Sequence, residues 1–382
     1  MKPFSALKFI IENKRKGIMT FLVLILAVCA IALVTVLTDS IYESVDQTYL
    51  RQYKEFSIVY PAPGDLYLNA SVVELLQKNT DIEKLVPCDA ENTMISLAMG
   101  NSSVTGIFAG QEDVSYYLGK IGDTLKDGRL PENGTNEIAV HWRVLANKHW
   151  EIGQSVGSDI DPDESLAGTY KIVGVLDGES IAFVGTQTNR ERTYIKNNLD
   201  ISKPVAYAVF PKEGKQDAVN RVIDGINRKD AGSETLTKMT TMINKQLASL
   251  NSTIVSLLLI MIIIISISSG ALMYLVYLQR SDEFGILVAM GYRKGFIYRL
   301  ILKEVLALDV LSWAVGFILA YFMVLLLNKA VYLPQGNVLN FFNIKVLVYT
   351  FCIPVMVAVF SILPIIMKLR RQDPITTIER RD

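Results

Sequence analysis

Histidine and cysteine are scarce in this sequence: 382 residues hold two of the first and three of the second. His141 and His149 stand eight residues apart with no Cys or His beside them, too little to build a metal site. No Ser/His/Asp or Cys/His constellation can be assembled from so few bases. The phosphate-cradling pattern G-x-x-x-x-G-K-[ST] does not occur either. The chain is therefore not expected to be an enzyme, and it offers no catalytic residue, no metal site and no cofactor of its own. Two cysteines, Cys29 and Cys352, fall inside long apolar runs. That leaves Cys88, and one thiol cannot staple its own domain. Charge of one sign is not in excess, since 38 basic residues face 38 acidic ones. No nucleic-acid partner is expected.

Apolar residues are present in quantity and gather in four blocks. Gly17 to Thr38 is 22 residues without a charge, Gln246 to Gln279 is 34, Val310 to Asn328 is 19 and Val346 to Met367 is 22. A helix needs about 20 apolar residues to cross the hydrocarbon core, so each block can span a membrane. Stretches such as Ser256–Ile265 have no polar face, which argues against buried helices of a soluble protein. Lys14, Arg15 and Lys16 before the first block fit a signal peptide. The block exceeds a signal core, however, and Asp39–Glu43 supplies no small-residue cleavage site, so a retained helix is expected.

Overall neutrality hides an asymmetry. Residues 1–16, 279–304 and 368–382 carry five Lys or Arg each, fifteen in all against 7 acidic residues. Residues 39–245 carry 21 basic and 30 acidic residues. Basic short segments stay in the cytoplasm. Both termini and the 279–304 loop are thus expected inside, with 39–252 outside, in a multi-pass protein of the bacterial cell membrane.

The expected fold class is an α-helical membrane protein with four transmembrane helices plus a mixed, βαβ-like α/β extracytoplasmic domain. That domain has a β-rich inserted subdomain and rides on a helical stalk. The boundaries read as follows. Residues 1–16 form a cytoplasmic amphipathic helix, 17–38 the first span and 39–54 a stalk helix. Residues 55–117 and 201–232 are two parts of a porter-like α/β layer flanking the insertion at 118–200. A second stalk helix, 233–252, leads into the second span, 253–278. The cytoplasmic segment 279–304, the third span 305–328, a short external loop 329–344, the fourth span 345–367 and a cytoplasmic tail 368–382 complete the chain. Leu236, Met239, Ile243, Leu247 and Leu250 recur at intervals of three and four, one apolar stripe along the second stalk helix. The stripe can pack within one chain or against a second copy. Asp309 sits in the third span, about 6 Å from its start. An ionisable residue there is a functional candidate, and an interfacial position or a partner on a neighbouring helix is the structural alternative. Pro354 and Pro364 predict kinks in the fourth span.

The segment from Gln279 to Glu304 is the most informative. Phe284, Leu287 and Gly291 fall on one helix face with Ile286 and Met290 beside them, and Arg293, Lys294 and Arg299 form a basic run. Glu283–Phe284–Gly285–Ile286–Leu287, then Ala289–Met290–Gly291, with Arg293 and Glu304 following, resembles the coupling segment of MacB/FtsX-like ABC permeases of the type VII superfamily. Val288 departs from it, because relatives often carry a basic residue there. Asp373–Pro374, Ile378 and Arg380 are similar to the family's closing motif. Gly128–Arg129, Glu137–Val140, Ile152–Gly153 and Tyr170–Leu176 resemble the periplasmic domain of the MacB branch.

The resemblance implies partners and a mechanism. A separate cytoplasmic ABC ATPase would bring ATP and Mg, and a second permease chain, identical or related, would complete a dimer in the lipid bilayer. Asp282, Glu283, Phe284, Gly285, Ile286, Leu287, Met290, Gly291, Tyr292 and Arg293 would press into the ATPase. ATP-driven tilting would travel along the stalk to the extracytoplasmic domain, a mechanotransmission serving efflux or export of a peptide, antimicrobial or similar substrate. Room is left for an extracytoplasmic adaptor or substrate-binding protein. The rival readings are an FtsX-like regulator of an extracytoplasmic hydrolase and a lipoprotein-extracting permease.

Overall fold

A stretch with no charge gives a helix nothing polar to present, and the first element, α1 (Lys14–Val45), is a single helix through that stretch. The computed structural model describes residues 14–97, 100–188, 200, 205–278 and 281–371. The expected amphipathic helix up to residue 13 and the closing motif Asp373–Pro374, Ile378 and Arg380 lie outside them. Beyond Val45 the helix widens into a π turn at Asp46–Leu50 and tightens to a 3-10 turn at Gln52–Lys54. The expected stalk helix over 39–54 is therefore not uniform.

Among the described residues, four helices are long and apolar enough to cross a membrane. Besides α1, and numbering along the chain, they are α6 (Leu236–Leu278), α8 (Lys294–Leu327) and α9 (Ile344–Arg371). Short α7 (Ser281–Ala289) lies between α6 and α8 in sequence. Helix α8 starts at Lys294, before the 305 expected for the third span. Helix α9 carries Pro354 and Pro364 without a break.

Helix α1 up to Asp39, α6 from Leu250, α8 and α9 belong to one unit, whose core joins Leu24, Val28 and Ile31 of α1 to Ile262 and Met273 of α6, Ile301 and Val305 of α8 and Ile353 and Val357 of α9. Small residues let backbones approach: a Cβ on Gly316 of α8 would lie 2.8 Å from the Ile25 carbonyl oxygen of α1. Hydroxyls inside the helices turn back on their own backbone, as Thr35 does to Ile31 O at 2.8 Å and Ser312 to Leu308 O at 2.7 Å. At one end Lys345 of α9 pairs with Asp39 of α1 at 2.8 Å.

The second unit comprises Ser40–Ser249 together with Asn328–Val338. Its strands are β1 (Ser57–Pro61), β2 (Ile82–Leu97), β3 (Gly100–Phe108), β4 (Thr124–Gly128), β5 (Glu137–His141), β6 (Ser155–Val156), β7 (Tyr170–Asp177), β8 (Phe183–Gly185), β9 (Ala206–Pro211) and β10 (Ala231–Glu234). They form a mixed sheet in the order β10-β1-β9-β2-β3-β8-β5-β7-β4, with β6 beside β7. Strand β9 is buried along its whole length. Alternation sends Ala206, Ala208 and Phe210 into one core and Tyr207 and Val209 into another. Helices α2 (Ala70–Lys78) and α5 (Gln216–Asp224) cover the second face with Val72, Leu76, Val219 and Ile223. Helix α3 (Gln111–Ile121) packs Val114, Tyr117, Leu118 and Ile121 onto the first.

Strand β2 binds the two halves of this domain together. Ile82 to Cys88 pair with β9, and Asp89 to Leu97 pair with β3. The middle region therefore continues the same ladder. Helix α4 (Trp142–Lys148) seats Val144 and Leu145 in the core of that region.

Candidate functional site

Helix α7 is short because Gly291, with φ +91°, ends it in the left-handed conformation. The Gly291 and Tyr292 amides then close on the Val288 and Leu287 carbonyls at 3.0 and 3.1 Å. Among the described residues nothing lies within 4 Å of a Cβ built on Gly291, so within this chain the glycine serves the turn.

The apolar residues of the segment divide into two sets. Phe284 and Leu287, 2% and 5% exposed, point into the helical core. The Phe284 ring stacks on Tyr277, at the end of α6, with centroids 6.4 Å apart and planes at 18°. In turn the Tyr277 hydroxyl donates to Glu304 of α8 at 3.2 Å. Ile286, Met290, Tyr292 and Phe296 are instead 51%, 62%, 43% and 44% exposed. Tyr292 and Phe296 stack on each other at 5.3 Å. Where the sequence groups Phe284 and Leu287 with Ile286 and Met290, the structure makes the first pair an anchor and the second part of an open apolar surface. Gly285 is half-buried and Arg293 exposed. The backbone of Asp282 and Glu283 is helical, and their side chains lie outside the described ones.

The stalk stripe also divides. Leu236 and Met239 pack against the core that contains Phe56 and Phe210. Ile243 is buried and Leu247 half-buried, while the Leu250 side chain is outside those described. Helix α6 begins at a cap in which the Lys238 amide donates to Thr235 Oγ1 at 3.2 Å, and Thr235 Oγ1 donates to Asp224 at 2.8 Å. From Leu236 to Leu278 it is one helix of 43 residues.

Asp309 is 1% exposed, and among the described residues neither carboxylate oxygen has a hydrogen-bond partner. The partner on a neighbouring helix that the sequence left open is not among them. His141 and His149 stand at the two ends of α4. The first caps it by accepting the Arg143 amide at 3.2 Å, and the second closes it at φ 56°. Burial holds the His141 imidazole down at about 4 and pushes the Asp123 carboxyl up to about 7. Burial also takes the Cys88 thiol to about 12, which leaves it unreactive. Sequence reasoning did not find the Tyr277–Glu304 bond, although a lone acid at the head of an apolar span is a visible signal.

Residues 253–374, from within α6 through α9, match the FtsX-like permease C-terminal family. A protein of Staphylococcus haemolyticus named as a hemin transport system permease, HrtB, is 24% identical over 254 residues. That alignment covers 66% of this chain and 66% of the relative, just under two thirds of its length. The periplasmic region of MacB from Actinobacillus actinomycetemcomitans is 12% identical with a TM-score of 0.29, covering 50% of this chain and 92% of that one. The extracellular domain of the ABC-type transporter YknZ from Gram-positive bacteria is 10% identical with a TM-score of 0.28, covering 47% and 99%. The stretch from within α6 through α9 thus matches the FtsX-like permease C-terminal family, in a chain whose described residues hold four long apolar helices and one mixed-sheet domain.

Proposed function

We propose that this chain is an ABC transporter permease of the FtsX/MacB type that converts ATP binding by a separate cytoplasmic ATPase into movement of its 39–252 domain on the opposite side of the membrane. The observation that carries the reading is the two-sided nature of α7. Its inner face is clamped by Phe284 against Tyr277 and its outer face leaves Ile286 and Met290 uncovered. A surface of that kind at a helix junction is made to be pushed, because the anchored face passes displacement to α6 and α8. Packed interfaces move as rigid bodies and do not deform smoothly. Helix α6 then provides a rod of about 64 Å at a rise of 1.5 Å per residue. The basic segments flanking the spans support an inward-facing α7. ATP and Mg would be bound by the ATPase, and a second permease chain would complete the assembly.

Export of an amphipathic substrate is the favoured outcome, whether a peptide, an antimicrobial or a similar compound. The name of the staphylococcal relative makes hemin the first compound to try. The test is purification of the chain from its native membrane, followed by ATPase assay in lipid nanodiscs. An ATPase should accompany the wild-type chain and be lost from the Ile286→Asp, Met290→Asp double variant. Retention of the ATPase by that variant overturns the assignment of the docking surface. Absence of any ATPase from the wild type overturns the function.

A further inference from the structure

Helix α4 is only seven residues long, yet it collects contacts from parts of the chain that are far apart in sequence. The segment Asn328–Val338, which joins α8 to α9, folds as a π turn, a 3-10 turn and a left-handed Gly336 at φ +70°. Gly336 is buried against α4: a Cβ there would lie 2.2 Å from the Arg143 carbonyl oxygen and 3.0 Å from Arg143 Cα. The backbone sign strains any other residue there, and a side chain would clash with the Arg143 backbone. One turn along, the Asn147 side chain donates to the Gln335 carbonyl at 2.9 Å. The same amide mimics a peptide toward strand β2, accepting from the Ser96 N–H at 2.8 Å and donating to the Ser96 carbonyl at 2.6 Å. At the other end of α4 the Arg143 guanidinium donates to Gln47 Oε1. Gln47 lies in the π turn that prolongs α1, and its carbonyl accepts the Ile181 amide at 3.1 Å.

We propose that α4 is a latch: Asn147 and the Gly336 seat hold the α8–α9 connection, Arg143 holds the end of α1, and displacement of these helices reaches the mixed-sheet domain through α4 as well as through α6. The proposal rests on the transmission reading above and adds a second route to it. Its chemistry is chosen for a releasable contact. The loop is held by a carboxamide and a glycine turn, with no apolar side chain of Leu333–Gly336 committed to the core. Asn147 and Arg143 are positioning residues, which act through the backbone they grip.

The experiment is amide hydrogen exchange on the full chain with its co-purified ATPase in lipid nanodiscs, with and without a non-hydrolysable ATP analogue. In the wild type, nucleotide should alter exchange in 281–289 and, together, in 142–148 and 328–338, by about 5-fold or more. In Asn147→Ala the response of 281–289 should persist while that of 142–148 collapses. Gly336→Ala, which attacks the same contact from the loop side, should behave alike. A wild-type response at 281–289 with silence at 142–148 overturns the latch and leaves the transmission reading standing. So does a full response at 142–148 in both variants. Silence at 281–289 in the wild type removes the transmission reading, and the latch with it.

Discussion

The Tyr277 hydroxyl donates a hydrogen bond to Glu304 Oε2 at 3.2 Å, and both side chains are almost fully buried. This bond ties the end of α6 to the head of α8, and the Tyr277 ring carries Phe284 of α7 on its face. Three helices thus meet at one phenol. Tyr277→Phe keeps the ring stack and removes this buried bond to the Glu304 carboxylate. It should cost about 1–3 kcal/mol. Phe284→Ala removes the stack and opens a cavity, at a cost of about 3–5 kcal/mol. Thermal unfolding in detergent measures both, and an unchanged Phe284→Ala would show that α7 is not anchored there.

On the uncovered side of α7 the expectation reverses. Met290→Asp changes a residue that is 62% exposed, so stability should stay within about 0.5 kcal/mol while ATPase stimulation is lost. Gly291→Ala makes the internal comparison. Its φ of +91° strains any L residue, so about 1–2 kcal/mol should be lost even though the space is empty. Equal melting temperatures for the two variants would contradict this division of roles.

The continuity of α6 can be cut at a site that packs little. Met242 is 43% exposed, and Met242→Pro removes a helical hydrogen bond and kinks the rod at a cost of about 3 kcal/mol. Basal ATP hydrolysis should survive, and coupled transport should fall well below that of Met242→Ala. Transport at the level of the alanine variant would mean that α6 does not carry the stroke.

Asp309 places inside the helical unit two oxygens with no hydrogen-bond partner among the described residues. Asp309→Leu removes them at similar volume and should raise the melting temperature, by the equivalent of about 1–3 kcal/mol. If the purified complex is instead destabilised, the carboxylate has a partner that the assembled transporter provides.

Two buried groups in the mixed-sheet domain give opposite pH slopes. Asp123, raised to about 7, binds a proton more tightly folded than unfolded, so its contribution is full below pH 4 and is lost as pH rises toward 7. His141, lowered to about 4, binds protons more tightly unfolded, so its contribution is full above 6.5 and is lost as pH falls toward 4. Asp123→Asn should therefore make thermal stability climb more steeply with pH between 4 and 7. His141→Asn, which can still accept the Arg143 amide, should tilt the curve the other way. Parallel curves for the two variants and the wild type would show that neither group titrates in this window.

The apolar helices were legible because their signal is local: a run such as Ile254–Leu278 needs no partner to declare itself. Element types within the domain were legible where alternation or a 3.6-residue period held, as in Tyr170–Leu176 or around Val219. Helix α4 was not, since a seven-residue helix capped by two histidines carries too short a period to stand out. Nor was the exchange of partners along β2, where Cys88 looks to β9 and Asp89 to β3.

By itself, then, the order of residues determined which segments are long and apolar enough to leave water and which short segments carry the positive charge. Only the tertiary structure decided that Phe284 faces inward while Met290 faces out, that Gly291 serves a turn, and that Gly336 serves a seat on Arg143. The reason is physical. Hydrophobicity and charge are properties of a side chain and add along a sequence. The role of a glycine or of one helix face is set by what approaches it, and here those neighbours come from nearly two hundred residues away, as Gln335 does to Asn147.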